Sequence, residues 1–565
     1  MPSRMKCLAF ASVLFFLCMG LSGGDSRKVT LYLIGDSTME DKPLEGNPER
    51  GWGQLFPFFF DGRVNLANHA KGGRSTKSFF DEGRWKQILD LLCQGDFVFI
   101  QFGHNDEKKQ DSTRYTDPQT AFRHNLERFV RETREKGASP VLLTPVMRRR
   151  FDENGTFFDT HGEYPDVVRR VAVEEGVPLI DLHRMTEKLI VGLGVEGSKR
   201  IFLWIEPGQY PACATGLKDD THFSEYGAEQ VARLAAGDIK RQKLPLKKYV
   251  RIPESIPSTA PKIRYLFAYF KRNGQDGLHL AFSTNGLQWT ALNHDSAFLK
   301  PTAGRDRLMR DPFVFQGPDG TFHLVWTISW KEKGIGYASS TDLINWSEQK
   351  VLPVMEHEPL AVNCWAPEMV YDDENGRYLV FWSTTIPGRF PETDNQSSKG
   401  PPEPGLNHRI YCTASTDMRT FDGTRLFFDP GFNVIDADIV RDGRRYIMFL
   451  KDETNKPFQS QKNIRVAAAE RAEGPYGPVS KPITGDFWAE GPSGIRIGQT
   501  WIVFFDRYRE GRYGAVASRN LTDWTDISDV LRFPPGARHG NVFRISESFF
   551  NDLLKKIKEM ERGSR

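Results

Sequence analysis

Residues 29–37 read VTLYLIGDS, an uncharged, mostly apolar run from Val29 to Ile34 that meets Gly35, Asp36 and Ser37. A continuous apolar run suits a strand covered on both faces, as in a parallel sheet lined by helices. Similar short runs return at Val64 to Ala67, Phe97 to Phe102, Val141 to Leu143 and Pro178 to Ile180. Longer stretches with helical spacing separate them, such as Pro118 to Lys136 with Phe122, Leu126, Phe129 and Val130. This alternation predicts an α/β doubly wound parallel sheet over residues 27–243. Such sheets bind ligands at the carboxyl ends of their strands, where Ser37 stands and is expected to enter a helix.

Outward from this unit the grammar changes. Residues 244–261 are rich in proline and lack an apolar period, which predicts an extended linker. Over residues 262–545 strand-like units recur, among them LHLAFSTNGLQWT, IGYASSTDLINWS and YGAVASRNLTDWT. They pair with partners such as DPFVFQGPDGTFHLVWT and APEMVYDDENGRYLVFWS, and IRVAAAERAEGPYG is a divergent copy. All-strand repeats of roughly 50 residues predict an all-β propeller, here five-bladed, with a β-sandwich as the competitor. The segment IRYLFAYF is expected to close the ring beside the last blade. Residues 546–565 form a terminal helix in this reading, docking through Phe549, Phe550, Leu553, Leu554 and Ile557.

The chain has 565 residues and a formal charge of only +3, which gives no reason to expect nucleic acid as partner. Arg4 and Lys6 precede an apolar run from Cys7 to Leu21, then Ser22, Gly23 and Gly24. Residues 1–24 therefore read as a signal peptide, too short to span a bilayer, and the protein is expected in the periplasm or outside the cell. No membrane span is expected in the mature chain. Of the later cysteines, Cys93, Cys213, Cys364 and Cys412, no two stand at metal-ligand spacing; disulfides and free thiols both stay open.

A serine hydroxyl needs a base, and Asp219 and His222 in DDTH provide a carboxylate three residues before an imidazole. Ser37 is the candidate nucleophile, His222 the base and Asp219 the group that orients it; Asp220 is the weaker choice. The backbone N–H groups of Ser37 and Gly73 and the side-chain amide of Asn105 are the candidate oxyanion donors. The blocks GDSTMED, NHAKGGRS, QFGHND and DDTHFSEYGA resemble the SGNH (GDSL) hydrolase superfamily, in particular its rhamnogalacturonan acetylesterase branch, carbohydrate esterase family 12. The resemblance implies removal of acetyl groups from a pectic polysaccharide with no cofactor. The residues by themselves support ester hydrolysis; a lipase or thioesterase shares the blocks, although no long apolar lid is present.

In a propeller the starts of the innermost strands converge on the axis. Reading that place repeat by repeat gives Asp311, Glu368 two residues later in register, Asp436, Glu490 and His539. A carboxylic acid and a carboxylate are the equipment for glycosidic cleavage, and crowding them raises one pKa. The pattern resembles glycoside hydrolase family 43. That resemblance implies Asp311 as general base, Glu490 as general acid and Asp436 as the residue that tunes Glu490, in an inverting reaction; Asp438 competes with Asp436. Glu368, Trp365, Trp488 and His539 are the candidate substrate contacts. His539 is the place where relatives hold water or a structural metal ion, a packing histidine being the alternative. The stretch Ile386 to His408 reads as a polar rim loop. Together these readings give a bifunctional hydrolase that deacetylates a pectic polymer and cleaves arabinofuranosyl, xylosyl or galactofuranosyl side chains. The alternative is an acetylesterase whose propeller only binds carbohydrate.

Overall fold

The computed structural model describes residues 28–260, 262–394 and 405–563. The signal segment 1–24 and the middle of the expected rim loop lie outside them.

The first domain is built on five parallel strands, β1 (Val29–Gly35), β2 (Val64–Asn68), β3 (Phe97–Gln101), β4 (Ser139–Leu143) and β5 (Leu179–Ile180), in the order β2-β1-β3-β4-β5. Because successive side chains point to opposite faces, each strand feeds two cores. Leu31, Leu33, Phe97 and Phe99 pack with Trp52, Val231 and Ala235, while Tyr32, Ile34, Val98 and Ile100 pack with Phe122, Leu126 and Val167. Both faces are thus sealed, as the uninterrupted apolar runs require, and the polar chemistry is left to the strand ends. A short antiparallel ribbon, β6 (Phe202–Ile205) with β7 (Leu217–Phe223), precedes the last long helix, Glu225–Arg241. The Ser224 side chain caps that helix by accepting from Gly227 N–H at 3.1 Å.

The expected linker is not a free spacer. It lies along the first domain: Arg251 N–H donates to Phe59 O, Arg233 donates to the carbonyls of Pro253 and Glu254, and Thr259 Oγ1 donates to Glu225. Its many prolines leave few backbone donors, so its contacts are made mostly by carbonyls and side chains.

The second domain is a ring of five sheets. Their innermost strands are Arg310–Gln316, Trp365–Asp372, Val434–Asp442, Glu490–Ile497 and Ala537–Ser546, each touching the next around the axis. The last strand of the ring pairs with Ile263–Lys271, so one blade is assembled from both ends of the domain. This is the closure expected of IRYLFAYF. The divergent copy IRVAAAE belongs to the one sheet that has three strands instead of four. Helix Glu547–Gly563 packs Phe550, Leu553 and Ile557 against Phe322 and Leu324.

Every innermost strand carries the same irregularity. Its ladder shifts register between Arg310 and Phe313, Trp365 and Glu368, Ile435 and Asp438, Glu490 and Ser493, and Arg538 and Asn541. A bulge of this kind bends the strand and re-aims a side chain. The first bulged residues are Asp311, Ala366, Asp436, Gly491 and His539. The backbone is left-handed at the first four, with φ of 50° at Asp311, 44° at Ala366, 53° at Asp436 and 58° at Gly491. A β-carbon makes that conformation costly, by about 1–3 kcal/mol, so three non-glycine residues here represent strain held at the hub.

Candidate active sites

The strand-to-turn junction after β1 presents Ser37. Gly35 is tightly enclosed; a β-carbon there would stand 2.7 Å from Gln101 O. Asp36 points inward, accepts from Thr38 N–H at 2.9 Å and its hydroxyl at 2.8 Å, and lies 3.3 Å from His104. Burial works against its charge, but His104 and Thr38 outweigh that effect and bring its pKa down to about 2. Asp36 thereby locks the turn that lifts Ser37. Contrary to expectation, Ser37 does not enter a helix: Met39 and Glu40 N–H both donate to Asp36 O, and the next helix begins at Trp52.

His222 arrives from the ribbon. Phe202 pairs with Phe223 and Leu203 with Asp219, so residues 220–222 are bulged out between them. Thr221 and His222 N–H both donate to Asp219 Oδ1, at 2.7 and 3.0 Å, and His222 Nδ1 stands 2.7 Å from Asp219 Oδ2. Its other ring nitrogen, Nε2, lies 2.9 Å from Ser37 Oγ. Burial opposes charge on Asp219, yet these hydrogen bonds hold its pKa near 2. Burial alone would lower His222; the Asp219 hydrogen bond and the charges of Glu49 and Asp219 raise it overall. Asp220 faces elsewhere, toward Arg149, Arg150 and Trp204 Nε1, which leaves Asp219 as the aspartate beside the His222 ring.

The expected oxyanion donors approach from two further strand ends. Gly73 has φ of 78°, and a β-carbon on its neighbour Gly72 would sit 3.5 Å from Ser37 Cβ. Asn105 Nδ2 donates to Arg74 O at 3.0 Å, tying the loop after β3 to the loop after β2. Beside them lie residues whose part the sequence did not reveal. Glu40 accepts from Gly72 N–H at 3.0 Å, and Lys42 stands 2.8 Å from both Glu40 and Glu49. No spacing rule singles these out, because their shared location is created by the turn after Ser37.

At the hub of the propeller, Asp311 Oδ2 accepts from Thr327 Oγ1 at 2.8 Å, and its Oδ1 lies 3.2 Å from His539 Nδ1. Asp436 Oδ2 accepts from Gly491 N–H at 3.0 Å. His539 is pushed up to about 9: burial disfavours its charge, but Asp311, Asp436 and Glu490 together outweigh it. Three carboxyls thus face one imidazolium. In return Asp311 is drawn well below the ordinary carboxylate range, whereas burial lifts Asp436 to about 6.

Glu490 departs from the expected register, and Glu368 from its expected accessibility. Glu490 directly precedes its bulge, with Gly491 in the place that corresponds to Asp311 and Asp436. All five innermost strands share the bulge, and nothing in the repeat marks which residue comes first in it. Glu490 also lies 3.1 Å from Arg538 and 3.3 Å from Lys451. Glu368, expected as a substrate contact, is buried one turn of the pleat deeper, facing Asp438. Burial raises both; at Glu368 the Asp438 charge adds to it and lifts the carboxyl well above the ordinary range, whereas at Asp438 hydrogen bonds from Gly494 N–H and Glu368 pull the other way and leave it at about 7. Asp438 accepts from Gly494 N–H and is a structural neighbour of the hub.

Aromatic rings flank the acids. Trp365, half-buried, meets Trp330 edge-on at 5.4 Å, and Trp330 is 44 % exposed. Across the hub Trp488 lies 6.0 Å from Tyr508, with Arg509 over its face. Planar faces beside carboxyls suit stacking on sugar rings.

Comparison with known proteins assigns each domain to a family. The GDSL-like lipase/acylhydrolase family model matches residues 33–229, and that of a probable glycosyl hydrolase domain, related to family 43, matches residues 261–549. This chain belongs to both families. Its esterase domain is 47 % identical over 224 residues to rhamnogalacturonan acetylesterase RhgT of Bacillus subtilis, covering 40 % of this chain and 95 % of that one. It is 37 % identical over 220 residues to the probable rhamnogalacturonan acetylesterase YesY of the same organism, covering 39 % and 96 %. The rhamnogalacturonan acetylesterase of Emericella nidulans is 31 % identical over 222 residues, covering 36 % and 81 %. The protein is an esterase joined to a probable glycoside hydrolase. Among the described residues no helix is long and apolar enough to cross a membrane, no group of three or more potential ligands is placed to hold a metal ion, and all four cysteines are free thiols.

Proposed function

We propose that the first domain removes acetyl groups from a rhamnogalacturonan-like pectic polysaccharide by a Ser-His-Asp mechanism. The observation that carries this is the continuous relay from Asp219 through His222 to Ser37. His222 Nε2 takes the serine proton as Ser37 Oγ attacks the acetyl carbonyl. The resulting oxyanion is held by the Ser37 and Gly73 N–H groups and by Asn105. His222 then returns the proton to the departing sugar hydroxyl, and water, activated the same way, frees acetate. Asp219 keeps the imidazole in the required tautomer and stabilises its charged form. The relatives' names support the pectic substrate. Acetate release from acetylated rhamnogalacturonan tests it, with Ser37→Ala as the control.

The second part of the proposal is glycosidic cleavage at the propeller hub, with Asp311 activating water, Glu490 protonating the leaving oxygen and Asp436 tuning Glu490. The shared imidazolium His539 supports it, since it keeps Asp311 an available carboxylate. A second reading is a propeller that only binds carbohydrate, which the tryptophans flanking the hub acids support equally. Turnover of an aryl arabinofuranoside or xyloside, lost in Glu490→Gln, separates the two. Export through residues 1–24 belongs to the same proposal, since a polymer is met outside the cytoplasm; the N-terminal residue of the secreted protein tests it.

A further inference from the structure

The two domains meet along the edge of the propeller opposite the hub acids. Glu45, from the esterase loop after Ser37, accepts from Tyr265 Oη at 2.9 Å, from Arg544 Nε at 3.1 Å and from Gly498 N–H at 3.2 Å. Gly498 is the turn at the far end of the innermost strand that begins with Glu490. Eight residues of strand rise roughly 26 Å, so the esterase sits on the back of the propeller, away from its acids.

Between the domains lies a cleft of about 560 Å³. The esterase lines it with Glu40, Lys42 and Lys71, and the propeller with Gln499, Thr500 and Arg519. The cleft opens beside the relay. Glu40 holds the Gly72 N–H next to Ser37, and Glu49, also in the lining, contributes to the raised pKa of His222. Its lysines are compensated, Lys42 by Glu40 and Glu49 and Lys71 by Glu40 at 2.5 Å. Arg519 is different. It reaches across the interface to donate to Ala212 O at 3.0 Å, and among the described residues no carboxylate pairs with it. Thr500 Oγ1 is buried at the cleft without a hydrogen-bond partner among the described residues.

We propose that this cleft is a glycan-binding extension of the esterase site, in which the propeller supplies Arg519 for the carboxylate of a uronate unit and Gln499 for a sugar hydroxyl. The propeller's back edge then serves as a wall of the esterase cleft. Carboxylates, amides and hydroxyls side by side are the lining that a polyhydroxylated chain requires, and a guanidinium is the side chain suited to bidentate carboxylate recognition. The inference rests on the pectic reading of the esterase.

The test compares full-length wild type, Arg519→Ala and Arg519→Lys on acetylated rhamnogalacturonan, on acetylated xylan without uronate substituents, and on 4-nitrophenyl acetate. In Arg519→Ala kcat/KM for the rhamnogalacturonan falls about tenfold further than for the other two substrates, through KM, and Arg519→Lys recovers part of the loss. Equal changes on all three substrates, or no change on the rhamnogalacturonan, overturn the inference while leaving the esterase reading intact. Wild type that cleaves 4-nitrophenyl acetate but releases no acetate from the rhamnogalacturonan overturns both.

Discussion

Ser37 Oγ and His222 Nε2 lie 2.9 Å apart across 185 residues of chain. Asp219 binds the opposite ring nitrogen, so the proton path is closed before any substrate arrives. Catalysis by this relay requires His222 neutral at Nε2. Because the neighbouring carboxylates raise its pKa, kcat/KM for 4-nitrophenyl acetate should climb through one ionisation above the ordinary value of about 6.5 and then level. Replacing Glu49 with Gln removes one of those charges. The inflection then moves to lower pH with the plateau within about threefold; an inflection that stays in place contradicts the electrostatic role of Glu49.

Asp219→Asn acts on the plateau as well. It removes the charge that stabilises the imidazolium and disturbs the tautomer, so kcat falls by about 10³–10⁴-fold. Far-ultraviolet circular dichroism should be unchanged, and a loss below tenfold would show that Asp219 is not the orienting group.

His539 sets the electrostatics of the hub. Its pKa is raised to about 9, so the stability it contributes is present in full below about 6.5 and is lost as pH rises through 9. The thermal midpoint of the wild type therefore declines across that window, whereas His539→Gln removes most of the decline. Losing the imidazolium also lets the Asp311 pKa rise, which moves the acid limb of any aryl-glycoside activity upward. A variant with the same slope and the same acid limb as wild type contradicts this assignment.

Glu45 is the hinge pin of the domain interface. In Glu45→Ala the Tyr265 hydroxyl, the Arg544 side chain and the Gly498 N–H lose their acceptor, which costs about 1–3 kcal/mol for each group left buried and unsatisfied. Cys213, half-buried on the neighbouring loop, should then react faster with a thiol reagent, measured against exposed Cys93. Unaltered labelling of Cys213 would mean that the domains are held by other contacts.

Much of this was legible in the sequence because each esterase element is local. A buried strand ending in GDS and an aspartate three residues before a histidine specify their own geometry, and the sheet order brings the strand ends together. The ring was legible for a similar reason, since its repeats carry the two-residue period of strands. The single-residue offset of Glu490 was not, because it is measured from a bulge that all five innermost strands share and that no residue pattern in the repeat marks. Nor was the burial of Glu368 opposite Asp438, which depends on two strands 70 residues apart meeting at the axis. The interface between domains was equally hidden: residues 44–50 and 497–500 are polar turns without periodicity, and only the folded surfaces define their partners.

That one chain carries two independent hydrolytic centres is the proposal with most at stake. It is tested most directly by following acetate and released sugar together from acetylated, side-chain-bearing rhamnogalacturonan, with Ser37→Ala and Glu490→Gln in parallel. The expected outcome is that Ser37→Ala loses acetate release by about 10⁴-fold while still freeing sugar from a deacetylated sample, and that Glu490→Gln does the reverse. Acetate release undiminished in Ser37→Ala, or one substitution abolishing both products on both samples, would contradict it.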